Sequence, residues 1–330
     1  MQDSSVQDIQ TTYLIPLKSQ ALLGVEGPDA NKFLQGQLTC DLRELAPNHS
    51  LQGAQCSLKG RMMNTFRLLQ DREDRVILRT FAELTSATQA ALGKYIVFSK
   101  AEINNLSDAY TLVGLVGPEA EALLSTHLGA APEAEGNWLE RNGHLIIKLA
   151  EQRYECWLNQ NTASAVLAEW AEMCQTGDEN LWTLLDIRAG WAQVRPQTQE
   201  LFTPQAVNYP LVGAVSFRKG CYTGQEVVAR LHYKGKLKRR MYRVEFSWPE
   251  QQALPTPGDD LVADDGQPLG QCVLSAWNER GSVEALLVMN DALAAQEVID
   301  YNDGQMRLLS LPYAIPKDDD QPSLSQNQDP

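Results

Sequence analysis

Hydrophobic and polar positions fall into two regimes along this chain. Through about residue 235, short apolar runs alternate with stretches of helical period. Ala21 to Val25 and Leu112 to Val116 read as strands, and each feeds a helix. Thr65 to Leu69 and Val76 to Thr80 read as a hairpin, entered through a turn at Cys56 to Met62. A helix over 84–94 and a strand over 95–102 follow. After about residue 241 only short strands remain: Tyr242–Phe246, Leu261–Ala263, Leu269–Ala276, Ser282–Met289, Glu297–Tyr301 and Met306–Leu311. Asp265-Gly266 and Asn302-Asp303-Gly304 supply turn residues that tolerate positive φ. The pattern predicts an α+β body followed by a small barrel or sandwich.

The chain contains an internal echo. Gly27-Pro28-Asp29-Ala30 recurs as Gly117-Pro118-Glu119-Ala120, in each case after an apolar run and before a helical pattern. Proline at the first helical position with an acid beside it suits a helix N-terminus, so these acids are read as structural and not catalytic.

One segment, Lys219-Gly220-Cys221-Tyr222-Thr223-Gly224-Gln225-Glu226, sets a cysteine among glycines, a lysine and a helix-start signal. Thr223 and Glu226 have capping-box spacing, and the helix they begin runs through Val227, Val228 and Leu231 to a stop at Gly235. Cys221 then lies just before a helix N-terminus with Lys219 nearby, a setting that favours a reactive thiolate. The plain alternative, a small packing residue, suits the other cysteines better.

Composition narrows the function classes. No apolar run among the 330 residues approaches the roughly twenty needed to span a bilayer, so no membrane segment is expected. The first twelve residues lack a signal-peptide core, which predicts a cytoplasmic protein. Six scattered cysteines form no CxxC pair and four histidines show no ligand spacing, so neither a disulfide framework nor a metal site is signalled. A net charge of −14 opposes direct nucleic-acid binding. Between Val227 and Val244, however, Arg230, Lys234, Lys236, Lys238, Arg239 and Arg240 stand without an acid. That rim is either a solvated linker or a surface that steers an anionic ligand or acidic partner.

The cysteine segment, the stretch at 27–42, the segment at 56–69 and Asp186-Ile187-Arg188-Ala189-Gly190 together resemble the YgfZ family of folate-binding, tRNA-modifying proteins. The resemblance covers about 13–315 and extends loosely to glycine cleavage aminomethyltransferases. It implies an aminomethyltransferase-like folate-binding body over 13–235 and a small C-terminal β-barrel over 236–315. Residues 1–12 and the acidic tail 316–330 are expected to be disordered. The implied function is a tetrahydrofolate-binding accessory protein that supports iron-sulfur cluster assembly or repair. Its partners would be iron-sulfur enzymes such as radical tRNA methylthiotransferases, and it would have no stand-alone turnover.

By the same resemblance Cys221 is the functional residue, Lys219 supports its thiolate, and Gly220, Tyr222, Thr223, Gly224, Gln225 and Glu226 complete the motif. Trp182 is the implied folate contact, an indole being suited to stacking on a pterin. Gln20 stands where the family often has a tryptophan and is a second candidate. The alternative is a folate-dependent aminomethyl transferase. That chemistry needs an acid at the reacting folate nitrogen, where this chain has Lys59-Gly60-Arg61-Met62-Met63-Asn64. A purely structural adaptor would leave Cys221 dispensable.

Overall fold

The computed structural model describes residues 9–302 and 304–316. The expectations for residues 1–8, Asp303 and the tail from 317 lie outside the described residues. The chain divides into two compact units. One takes the residues up to Gln35, then Asp41–Gly53 and Phe66–Trp182; the other takes Gly36–Cys40, Ala54–Thr65 and the residues from Thr183 on.

Along the chain come β1 (Tyr13–Pro16), β2 (Gln20–Glu26), α1 (Ala30–Gln35), β3 (Leu51–Cys56), β4 (Met62–Arg72), β5 (Arg75–Phe81), α2 (Thr85–Ile96) and β6 (Glu102–Asn105). Then follow β7 (Tyr110–Val116), α3 (Ala120–Leu128), β8 (Trp138–Arg141), β9 (His144–Ala150), β10 (Arg153–Asn159), α4 (Gln160–Ala171), β11 (Gln175–Thr176) and α5 (Glu179–Arg188). They build two sheets, ordered β3-β4-β5-β2-β6 and β11-β1-β7-β10-β9-β8. In the second sheet α3 and α4 cover an apolar face that includes Leu115, Leu124, Ile146, Tyr154 and Trp170.

The echo is a repeated device with one physical cause. Gly27 and Gly117 leave β2 and β7 at φ 128° and 127°, and a Cβ on either would meet backbone, the Lys100 carbonyl in the first and the Thr11 carbonyl in the second. Only glycine makes that turn without strain. Each copy then closes with the same bonds, Ala30 N–H to Gly27 O and Ala120 N–H to Gly117 O. The helices begin at Ala30 and Ala120, so Pro28 and Pro118 sit in the turn and not at the first helical position. The expected strand over 95–102 is also displaced. Helix α2 runs on to Ile96, and Lys100, which seats Gly27, also donates its N–H to Asp29 Oδ2. Pairing therefore starts only at Glu102.

In the other unit, α6 (Gln225–Lys234) precedes β12 (Arg239–Phe246), β13 (Asp260–Val262), β14 (Pro268–Trp277), β15 (Val283–Asn290), α7 (Asp291–Ala294), β16 (Val298–Tyr301) and β17 (Gly304–Leu309). The strands form one antiparallel sheet ordered β13-β14-β15-β12-β17-β16. It curls like a small barrel: beyond its two edge strands, Asn302 N–H donates to Asp264 Oδ1. Val244, Phe246, Leu287 and Met289 lie in its apolar core.

The Asp186-to-Gly190 segment ties α5 to this sheet. Arg188 donates to Glu284 Oε1 at 2.9 Å, and Arg243 donates to Glu284 Oε2 at 2.8 Å, with all three side chains buried. Gly190, at φ 66°, presents its carbonyl to the Tyr313 hydroxyl at 2.9 Å. Removing one member of a buried ion network leaves charge without compensation. Glu284→Ala should therefore cost about 3–5 kcal/mol in urea unfolding. Glu279→Ala, which removes the surface carboxylate that also meets Arg188, should cost under ~1 kcal/mol. Equal losses in the two variants would contradict this account.

Candidate functional site

The cysteine segment forms a loop whose alternate members are anchored and presented. Lys219 is buried, and its ammonium donates to the Leu38 carbonyl at 2.7 Å and the Cys40 carbonyl at 2.6 Å. It also stands 5.2 Å from the centre of the Tyr222 ring. Charge-assisted bonds of this kind are among the stronger ones in proteins. Gly220 and Cys221 are exposed, and the place of a Cβ on Gly220 has no atom within 4 Å. Tyr222 turns back inward and is buried. Thr223 N–H then donates to Gly36 O at 3.2 Å, and its hydroxyl meets Gln37 Oε1 at 3.4 Å. The thiol is thus held at the surface by buried residues on both sides.

The helix after it starts differently from the sequence expectation. The capping box does not form: the N-cap is Gly224, at φ 83°, with no side-chain cap. Thr223 faces Gln37, and Glu226 lies exposed in the first turn. The reason is steric. A Cβ on Gly224 would strike the Ser57 carbonyl and lie 3.2 Å from Cys56 Cβ, so the close approach of this loop to the 57–60 turn requires glycine there. Gln225 opens the helix, and the expected stop at Gly235 is kept, with that glycine extended and its N–H on Leu231 O.

Lys219 therefore acts as a strut: its ammonium is directed at two backbone carbonyls. No hydrophobic pattern could reveal those acceptors, because they belong to main chain some 180 residues away. Thr39, also missed, completes the seat. Its hydroxyl donates to Ala214 O at 2.7 Å and accepts from Ala54 N–H at 2.9 Å.

The other cysteines contrast with Cys221. Cys56 and Cys272 are buried, and desolvation pushes each thiol up to about 12. Cys156 is raised by the same cause. Among the described residues no cluster of three or more His, Cys, Asp or Glu is placed to hold a metal ion. No helix among them is long and apolar enough to cross a membrane.

Trp182 and Gln20, the two implied folate contacts, converge in the first unit. The Trp182 indole lies directly on Gly114 of β7, with the Arg153 guanidinium 4.1 Å from its ring centre. Gly114 pairs in register with Glu155 of β10, so indole and carboxylate share one face of the sheet. Glu155 is fully buried and accepts from Arg79 Nε at 3.1 Å and from Trp157 Nε1 at 2.8 Å. Arg79 Nη1 in turn donates to Gln20 Oε1 at 3.2 Å. Ser19, beside Gln20, donates its N–H to Glu179, one turn before Trp182 on α5. Arg79 and Glu155 were not singled out from sequence. Their signal was a charged side chain inside otherwise apolar strands, Val76 to Thr80 and Tyr154 to Leu158.

The two-part chain, with its repeated strand-turn-helix and terminal curled sheet, has an aminomethyltransferase-like fold. Residues 12–140 match the GCVT N-terminal domain. The glycine cleavage system aminomethyltransferase T from Bartonella henselae superposes with a TM-score of 0.74, covering 93% of this chain and 87% of that one at 17% identity. At sequence level the chain is 32% identical over 312 residues to the tRNA-modifying protein YgfZ of Pectobacterium carotovorum, covering 92% of each. The YgfZ of Yersinia enterocolitica is 31% identical, covering 92% of this chain and 93% of its own. The chain belongs to the YgfZ family.

Two outcomes follow from the geometry. Iodoacetamide applied to the native protein at neutral pH should modify Cys221 and spare Cys56, Cys156 and Cys272, as peptide mapping by mass spectrometry would read. Lys219→Met should lose about 3–6 kcal/mol of stability, the sum expected for two hydrogen bonds from a charged donor; a loss below ~1 kcal/mol would refute the strut.

Proposed function

We propose that this protein is a tetrahydrofolate-binding accessory factor that supports tRNA modification by assisting iron-sulfur cluster assembly or repair, with Cys221 as its working thiol. The observation that carries the reading is the presentation of Cys221: an exposed thiol between a buried lysine strut and a buried tyrosine, in a chain of the YgfZ family. A cysteine kept only for packing would not need that scaffold. The relatives are named tRNA-modifying proteins, and a negative chain that serves the modifying enzymes has no need to grip RNA itself. Its partners on this reading are iron-sulfur enzymes such as radical tRNA methylthiotransferases, for which the cluster is cargo.

We read a set of polar side chains in the first unit as the groups that would face a folate. A pterin presents adjacent N–H donors and a carbonyl acceptor, which a carboxylate and a guanidinium such as Glu155 and Arg79 match, with the Gln20 amide beside them. Trp182 supplies an aromatic surface on the same face. The indole is only 3% exposed, so a ligand that stacks on it must displace the Arg153 guanidinium. Bound folate would supply a one-carbon carrier, while these residues hold its ring.

Calorimetric titration with tetrahydrofolate tests the folate half. Wild type should bind saturably, and Trp182→Phe should bind about tenfold more weakly, a difference of roughly 1.4 kcal/mol, while still unfolding in one cooperative transition at a somewhat lower temperature. Absence of binding by wild type would sink it. Cys221→Ser tests the thiol half: tRNA methylthiolation in cells relying on this chain should fall while folate affinity stays the same.

A further inference from the structure

The surface beside the thiol is apolar at its centre and basic around it. Leu58, on the turn between β3 and β4, is 76% exposed, and Val227, in the first turn of α6, is 41% exposed. The turn that carries Leu58 packs beside the start of α6: at Gly60, two residues on, a Cβ would stand 2.8 Å from Val227 Cβ. Arg230 and Lys234 follow Val227 at three and seven residues, which keeps them on its side of the helix. Lys59 and Arg61 flank the patch from the turn, and all four cations are exposed. Arg61 also donates to the Leu201 carbonyl. The acid closest in sequence is Glu226, also exposed on α6. Cys221 borders the patch, since Gly224, three residues past it, rests on the Ser57 carbonyl next to Leu58.

We propose that this surface docks an acidic segment of a partner protein, seating one apolar side chain against Leu58 and Val227 and its carboxylates against Lys59, Arg230 and Lys234. Docking there brings the partner to Cys221, so the inference rests on the reading of Cys221 as a working thiol and specifies which proteins it meets. Charge complementarity selects the occupant. A second copy of this chain would set the basic rim against itself, and two chains of net charge −14 repel. A nucleic acid would find aliphatic side chains at the centre where stacking surfaces are needed. The aromatic rings of this region, Phe217, His232 and Tyr233, are packed on one another, with Phe217 and His232 stacked at 3.7 Å. An apolar centre within a charged rim is the anatomy of a protein docking site.

The test uses the full chain and four probes that each carry a pyridyl disulfide: a ten-residue peptide with a leucine between glutamates, its lysine twin, the acidic peptide with serine for leucine, and an oligoribonucleotide. In each reaction the Cys221 thiolate attacks the probe's sulfur, forms a mixed disulfide and expels pyridinethiolate, which is measured by absorbance. The acidic leucine peptide should react about tenfold faster than its lysine twin at low salt, the lower end of electrostatic steering, and lose that advantage at high salt. Serine for leucine, Leu58→Ser, and the pair Lys59→Glu with Arg230→Glu should each slow it several-fold beyond any change in the rate at which the uncharged reagent iodoacetamide modifies Cys221 in the same variant. Equal rates for the three peptides, or a faster oligoribonucleotide, would overturn the proposal. If iodoacetamide fails to modify Cys221, the working-thiol reading falls instead. Docking is then decided by fluorescence anisotropy, where tighter binding of the acidic peptide than of its lysine twin upholds it and equal binding removes it.

Discussion

The Lys219 ammonium, buried and bonded to the carbonyls of Leu38 and Cys40, is the interaction on which the site depends. Bringing a lysine into the interior is costly unless its donors are met. Here two main-chain oxygens meet them, and the cost of leaving that arrangement holds the loop in one conformation. From this follow the outward placement of Gly220 and Cys221, the inward turn of Tyr222, and the approach of Gly224 to the Ser57 carbonyl that forces a glycine at the head of α6. A charge next to a cysteine in sequence suggests direct electrostatic help. In three dimensions the same charge positions the thiol by pulling its neighbours away from the surface.

Much of the architecture was legible because local chemistry and final fold agree. The paired Gly-Pro-acid segments marked two strand-turn-helix units, and the turn-punctuated strands after residue 241 marked the curled sheet, since in both the residue types fit only one backbone course. Legibility failed where a distant segment overrode a local preference. Tyr95 to Phe98 has the composition of a strand, yet α2 runs to Ile96, and pairing waits until Glu102 because Gly27 is seated on Lys100. Thr223 and Glu226 have the spacing of a capping box, yet the Ser57 carbonyl leaves room only for Gly224 at the cap.

The site shows the same division. Cys221 stood out by the glycines, lysine and helix-start signal around it, and it is exposed. The cluster of Gln20, Arg79, Glu155 and Trp182 could not be assembled from spacing, because its members come from β2, β5, β10 and α5 and meet only through strand register. Arg188 carried a different lesson. It lies in a segment that carries the family resemblance, and its buried bond to Glu284 makes it a tie between the end of α5 and the C-terminal sheet.

The second unit's composition bears on how the chain reaches its native state. Its pieces are Gly36–Cys40, Ala54–Thr65 and everything from Thr183 on. A ribosome therefore releases the Leu38 and Cys40 carbonyls long before the lysine that binds them, and the loop closed by that bond spans most of the chain. Such non-local closure slows folding and leaves early segments waiting. The thiol loop consequently cannot take up its native setting until the first 219 residues have all been made.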